Sequence, residues 1–422
     1  MLIPVVWLLV VGQGVLASMD QGVLASSTFV QITGIHMDPH YQVGAPATCV
    51  MGMLGLPCCR ASSRYPGQGV KHPGKGAKDH TLLRLAGPHG DLNCDSPPSL
   101  VNQTLEAIAG LNPDFVLDLG DRVGHHLLNQ SFGKNVQTMA YVASLMSFWN
   151  LTVYPAIGNH DTWPIDQWPD APYTHDLTSV YSSILFDSDP PAAFLEGGYY
   201  STPLTPTVRL VVLNTLWDDP LNLMEMRDGP RSQRKWLNQT LGDAQTKGEK
   251  VWLMAHVYPG SNEVKKDWTR WFASMVRTYA DTIHYLFFGH THLDDFVIFD
   301  TQAHAGWMPG SIVPFRDHMP SFRVYEWNAT SGHIHDYVQY RASLSETHLN
   351  FKPVYRASVA FGLKDMEGSS WYAFWQRMRA DPSLFQTWWS LHGTGNPSLV
   401  PCNTECVQAT LNQRLIPNRW YM

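Results

Sequence analysis

Apolar residues fall along this chain in short runs, and several runs stop abruptly at a glycine followed by His, Asp or Asn. Residues 29–33, 114–119, 151–157, 208–213, 250–255 and 283–288 are compact apolar or alternating segments of strand length. Between them the period changes. Residues 99–111 carry Val101, Leu105 and Ile108 on one helical face, with Ser99 placed to cap the first turn. Residues 136–149, with Met139, Val142 and Met146, and residues 233–241 also read as helices. The clearest helix is 264–280, whose face holds Trp268, Trp271, Phe272, Met275, Val276 and Tyr279. Segments 296–299 and 321–326 read as later strands. From about residue 355 the pattern turns helical, with Ser369 or Ser370 capping a helix that carries Trp371, Phe374, Trp375 and Met378. Residues 42–97, rich in Gly, Pro and Cys, read as a long stapled loop.

Strands alternating with helices predict an α/β domain with both sheet faces covered. Functional groups in such folds gather on loops beyond the carboxyl ends of the strands. Five blocks occupy that position: Gly34-Ile35-His36, Gly120-Asp121, Gly158-Asn159-His160-Asp161, Ala255-His256 and Gly289-His290-Thr291-His292. One histidine after a strand is usually structural. Five blocks together offer imidazole, carboxylate and amide oxygen, a donor mixture suited to a pair of divalent metals such as zinc. No Walker-type phosphate loop and no dinucleotide fingerprint occurs, so no organic cofactor is expected.

Composition narrows the class. A net charge of −7 over 422 residues argues against a polyanion-binding surface, and no nucleic-acid polymer is expected as partner. Residues 2–11 form an apolar stretch too short to span a membrane, so 1–25 reads as a secretory signal cleaved near 17 or 25. No later stretch has the length and apolarity of a membrane anchor. Sequons at Asn102, Asn129, Asn150, Asn238 and Asn328 and six cysteines agree with secretion. Cys49, Cys58, Cys59 and Cys94 cluster early and Cys402 and Cys406 late, so disulfides are expected within each cluster, with the pairs left open.

Further residues sharpen the reading: the first block continues His36-Met37-Asp38-Pro39-His40-Tyr41, and Pro57-Cys58-Cys59-Arg60 and Cys94-Asp95 follow. His125 stands four residues after Asp121, and Cys402 and Cys406 close the chain's last cysteine pair. On these motifs residues 28–408 resemble the acid sphingomyelinase-like phosphodiesterases, within the metallophosphoesterases related to calcineurin and purple acid phosphatase. The resemblance implies a four-layer α/β/β/α sandwich with a small helical C-terminal subdomain. It divides the chain into a catalytic domain at 28–345 and a helical part at 355–410 holding the Cys402–Cys406 disulfide. It leaves no room for the saposin-like domain of acid sphingomyelinase itself, which favours the shorter branch.

Residue by residue, the resemblance implies that Asp121 bridges two zinc ions, that Asn159, His256 and His290 complete one site, and that His36 and His292 belong to the other. The carboxylate expected beside His36 falls at Gly34. His160 is the expected proton donor or transition-state stabiliser, with His125 the second candidate. Asp161 reads as an orienting residue. Asp38 reads as a turn residue and as the nearest carboxylate able to replace the missing ligand. The expected function is a secreted, monomeric phosphodiesterase, extracellular or lysosomal, weakened by Gly34. Its substrates would be small phosphodiesters or nucleotide-type pyrophosphates, with lipid head groups a further option. The alternative is a catalytically inactive secreted binding protein on the same scaffold. A purple-type phosphomonoesterase is disfavoured because it needs Tyr three residues after the bridging Asp, where this chain has Gly124.

Overall fold

A computed structural model describes residues 27–49, 58–61, 84–126, 130–168, 175–177, 179–181, 192–223, 229–299 and 304–416. The expected leader and the sequon at Asn129 lie outside these residues. Among them, two mixed sheets form. The first contains β1 (Ser27–Ile32), β2 (Phe115–Asp118), β3 (Val153–Pro155), β10 (Ser321–Asn328), β11 (His333–Arg341) and β12 (Lys352–Arg356), in the order β12-β11-β10-β1-β2-β3. The second contains β4 (Tyr200–Thr205), β5 (Val208–Leu213), β6 (Lys250–Ala255), β7 (Ile283–Phe287), β8 (Asp295–Phe299), β9 (Ala305–Met308) and β13 (Leu415–Ile416), in the order β13-β8-β9-β7-β6-β5-β4.

Strict alternation along the central strands stacks the layers. On β1, Phe29 faces the second sheet while Val30 and Ile32 face outward. On β6, Trp252 and Met254 face the first sheet while Val251, Leu253 and Ala255 face outward. The two inner faces meet in an aromatic core. The Phe29 ring stacks on Tyr325 at 4.6 Å and on Phe115 at 5.1 Å, and meets Trp252 of the opposite sheet at 5.0 Å. Truncating such a ring typically costs about 3–5 kcal/mol. One polar group crosses the seam. Buried Gln31 donates to the carbonyls of Phe288 and Trp307, and accepts from the Tyr325 hydroxyl, so its burial carries no unmet hydrogen bond.

The outer faces are covered by helices. α1 (Pro98–Ala109) and α2 (Phe132–Phe148) pack on the first sheet, and α4 (Gly229–Lys247) and α5 (Lys266–Thr278) on the second; a short α3 (Ala192–Gly197) precedes β4. This is the expected α/β/β/α sandwich. α2 begins four residues before its apolar spacing predicted because the Ser131 hydroxyl accepts from the Lys134 amide. Ser99 is not a cap: α1 starts at Pro98, whose missing N–H suits the first turn, and the Ser99 hydroxyl donates to the Pro88 carbonyl.

From residue 357 the chain is helical: α6 (Ala357–Phe361), α7 (Gly368–Ala380), α8 (Pro382–His392) and α9 (Thr404–Gln413). Neither Ser369 nor Ser370 caps α7; its N-cap is Glu367, and the Ser370 hydroxyl donates to Asp365. Trp371, Phe374 and Trp388 close around Phe296 of β8 at 4.8, 5.9 and 5.9 Å, so these helices extend the inter-sheet core. The disulfides are Cys49–Cys58, Cys59–Cys94 and Cys402–Cys406. No helix among the described residues is long and apolar enough to cross a membrane.

Candidate metal centre

The five sequence blocks meet at one end of the seam between the sheets. β1, β2 and β3 deliver His36, Asp121 and Asn159-His160; β6 and β7 deliver His256 and His290-Thr291-His292. The loops approach very closely. A Cβ on Gly120 would stand 2.4 Å from the Gly158 amide nitrogen, and one on Gly158 only 2.2 Å from Asp121 Oδ1. Only glycine permits that contact. His36, Asp121, His290 and His292 all hold positive φ, at 40°, 64°, 70° and 61°. Such backbone costs roughly 1–3 kcal/mol per residue and concentrates where chemistry needs it.

Asp121 lies between two clusters. Its Oδ2 stands 3.2 Å from His256 Nε2 and 3.4 Å from His36 Nε2. On one side are Asn159 Oδ1 and His290 Nδ1, 3.0 and 3.2 Å from His256 Nε2. On the other is His292 Nε2, 3.0 Å from His36 Nε2. The donor atoms of Asp121, His256 and His290 lie within 4.8 Å of one another, as do those of His36, Asp121 and His292. The tautomers are set from outside. His36 Nδ1–H donates to the Val123 carbonyl at 2.8 Å and His256 Nδ1–H to the Leu119 carbonyl at 2.5 Å, which turns both Nε2 lone pairs inward. Imidazole nitrogens, one shared carboxylate and an amide oxygen fit a pair of divalent metals of zinc type.

Charge follows this arrangement. Burial alone would raise the Asp121 carboxyl, but the imidazoles of His256, His160 and His36 outweigh it and hold it well below the usual carboxylate range. Burial keeps His292 and His160 well below the usual imidazole value, hence neutral and able to offer a lone pair.

His160 donates its backbone N–H to Asp121 Oδ1 at 2.8 Å, and its buried Nδ1 has no hydrogen-bond partner among the described residues. His125 stacks on His36 at 3.7 Å and binds Asp95 Oδ1 through Nδ1 at 2.6 Å. Both face a cleft of about 590 Å³ that also exposes Asp121, Asn159, His290 and His292. Asp161 accepts the backbone N–H groups of Gly158, Asp121 and Arg122, at 2.8, 3.0 and 2.7 Å, so it braces the second and third blocks. Asp38 does not replace a ligand at Gly34. Its Oδ1 accepts the His40 amide and its Oδ2 pairs with Arg60 at 2.6 Å, which fully engages it in the neighbouring turn.

Three carboxylates behind the donors were not singled out by strand and block spacing. Asp95 holds His125, Asp166 takes the Asn159 Nδ2–H at 2.8 Å, and Glu263 pairs with His290 Nε2. Asp166 and Glu263 fix which atom of Asn159 and His290 faces inward. They sit on loops without periodicity. Only Asp95, beside Cys94, lay within a noted motif.

A centre in which one aspartate joins two histidine-rich donor sets at strand ends is that of a two-metal phosphoesterase. The profile of the calcineurin-like phosphoesterases matches residues 88–294. The chain is 29% identical over 402 residues to sphingomyelin phosphodiesterase A of Dictyostelium discoideum, covering 90% of this chain and 64% of that protein. It is 28% identical over 419 residues to human sphingomyelin phosphodiesterase, with 92% and 63% covered. It is 26% identical over 439 residues to a cyclic GMP-AMP phosphodiesterase of Rattus norvegicus, with 95% and 92% covered. It thus spans less than two thirds of the sphingomyelin phosphodiesterases it matches. By these matches the chain is related to the acid sphingomyelinase-like phosphodiesterases, and over residues 88–294 it is similar to the calcineurin-like phosphoesterases.

Proposed function

We propose that this chain is a secreted phosphodiesterase that hydrolyses small phosphodiesters or nucleotide-type pyrophosphates at a pair of zinc ions. The observation that carries this reading is the position of Asp121, one carboxylate oxygen of which faces His36 and His256 across two donor clusters. Asn159, His256 and His290 would hold one metal with it, and His36 and His292 the other. When bound, such a pair supplies a nucleophile at neutral pH and disperses charge at phosphorus. The protein's own groups do the rest. His125 and Asp95 share a proton across a short hydrogen bond, and burial pushes the Asp95 carboxyl up to about 7. Burial also lowers His125 to about 3, so near neutrality the proton rests on Asp95, and the neutral His125 ring at the edge of the cleft can relay it to the leaving oxygen. His160, tied to Asp121 through its backbone, presents its ring to the non-bridging oxygens.

Nucleotide-like substrates are preferred over a membrane lipid in this reading, because the cyclic GMP-AMP phosphodiesterase is matched over 92% of its length and the sphingomyelin phosphodiesterases are not. The three disulfides fit an oxidising, extracellular or lysosomal compartment. In this reading the protein acts as a monomer, and among the described residues no helix is long and apolar enough to cross a membrane.

Gly34 supports a second reading. A Cβ there would stand 3.0 Å from His292 Nε2, so an aspartate at this position would reach the His36 cluster, and glycine supplies nothing. In the main reading this weakens one metal; in the second, the chain is an inactive binding protein. The rate on bis(p-nitrophenyl) phosphate as zinc is raised, with Gly34→Asp beside the parent, separates them. Turnover by the parent at high zinc supports the enzyme. Turnover by Gly34→Asp alone supports the binding protein.

A further inference from the structure

The cleft is electrically lopsided. Its lining carries the carboxylates Asp166, Asp219 and Glu263 on the side of His290 and Asn159, and among its described residues one guanidinium, Arg316, toward His125. Arg122, Arg234, Arg323 and Arg414 each pair with an aspartate. Exposed Arg316 has no carboxylate partner among the described residues. Its guanidinium carbon lies 5.6 Å from the centre of the Phe315 ring, Phe315 lies 4.7 Å from His125, and His125 lies 3.7 Å from His36. A continuous stack therefore runs from this cation to the donor cluster, and its charge reaches the His125 and His318 rings.

The backbone is built to present it. Arg316 and Asp317 hold φ of 69° and 66°, successive left-handed residues that L side chains adopt reluctantly. Hydrogen bonds fasten both flanks. Val313 donates to the Gly34 carbonyl at 2.9 Å, Asp317 to Leu92, His318 to Pro314 and Met319 to Thr394, each of the last three at 3.1 Å. The turn is thus anchored to the first metal block, and its strain points to a functional cause.

We propose that Arg316 reads a second negative charge on the substrate, next to the scissile phosphate on the His125 side, so that the centre selects pyrophosphate-type substrates over phosphodiesters with a cationic head group. This rests on the phosphodiesterase reading above. A second phosphate meets the planar guanidinium with two parallel N–H bonds, while the Asp166, Asp219 and Glu263 wall repels it from the opposite side. A quaternary ammonium meets the reverse: repulsion at Arg316.

The test uses the full chain with zinc and three substrates: ATP, bis(p-nitrophenyl) phosphate and p-nitrophenylphosphorylcholine. Arg316→Gly removes the side chain with a residue that accepts its backbone. The expected result is a loss of about 10–100-fold in kcat/KM on ATP, the scale of a charge-assisted contact, with partial rescue by Arg316→Lys. The bis(p-nitrophenyl) phosphate rate changes far less than the ATP rate and the phosphorylcholine rate rises or holds. Equal losses on all three substrates, or an unchanged preference for ATP, overturn the proposal. Calorimetric binding of the imidodiphosphate analogue of ATP separates the two readings. If the parent hydrolyses none of the substrates yet binds the analogue, and Arg316→Gly loses that binding, the enzyme reading falls and this inference stands. If the parent hydrolyses bis(p-nitrophenyl) phosphate while the variant binds the analogue unchanged, this inference falls and the enzyme reading stands.

Discussion

The two donor clusters that share Asp121 are built to different standards. Around His256 every donor is backed: His256 by the Leu119 carbonyl, Asn159 by Asp166 and His290 by Glu263. Around His36, among the described residues, His36 alone is backed, by Val123, while His292 meets His36 at 3.0 Å and a glycine stands alongside. A donor with a fixed tautomer and direction binds a cation without reorganising; one without such support spends affinity on ordering itself. We expect the His256 cluster to be the tight site and the His36 cluster the exchangeable one.

The largest effect should come from the group common to both. Asp121→Asn removes the shared charge and should lower activity by more than about a hundredfold, beyond the usual loss from an outer supporting group. Zinc per chain after dialysis would fall for both clusters; full retention of one zinc would break the idea that Asp121 is shared.

Next comes the asymmetry itself. Glu263→Gln should weaken the tight site by about 10–100-fold in a competitive zinc titration. Asp95→Asn, at a carboxylate that accepts the His125 amide and pairs with its ring, should leave zinc affinity alone and flatten the pH profile of kcat. Equal effects of both variants on zinc would erase the distinction between metal support and proton handling.

A stability measurement probes the brace beneath both clusters. Asp161→Asn replaces an acceptor of three backbone N–H groups and should cost about 2 kcal/mol by chemical denaturation in chelator. A change near zero would mean that the loops hold their positions without it.

The smallest effect concerns the acidic wall. Burial, with Asp166 and Glu263 nearby, pushes the Asp219 carboxyl up to about 6 from the ordinary value of 3.8. A carboxyl raised on folding favours the folded state below its unfolded value, and that advantage is lost as pH rises through the folded one. In chelator, Asp219→Asn should therefore raise the melting temperature above neutral pH and leave it unchanged below the ordinary carboxylate range. The opposite sign would show Asp219 stabilised as an anion.

Where the sequence was legible, two periodic signals coincided: an apolar run and a donor at its end. His36, Asp121, Asn159, His256, His290 and His292 carry both signals, and the structure brings all of them to one place. β5 and β6 coincide with their apolar runs at 208–213 and 250–255. Three of the strands that sequence reading missed lack such runs. β4 holds Pro203, and only one of its residues is fully buried; β11 mixes His, Asp, Gln and Arg with its apolar residues; β12 has no fully buried residue. Their pairing is decided by neighbours far away in the chain. Asp166, Glu263 and Arg316 were silent for the same reason. Each lies in a loop, and its meaning depends on a partner or cavity that exists only after folding.

The place of β1 has a consequence for how the molecule is made. β1 pairs on one side with β2 and on the other with β10, so Phe29 and Tyr325 lie directly opposite each other although more than half of the chain separates them. As the chain emerges from a ribosome, one edge of β1 stays open until residues 321–328 appear. The loop that carries His36 hangs from that strand, and the turn that fastens Gly34 lies at 311–319. A nascent chain can therefore display every donor through His292 and still have no finished centre. The candidate centre is completed late, once β10 has closed the frame.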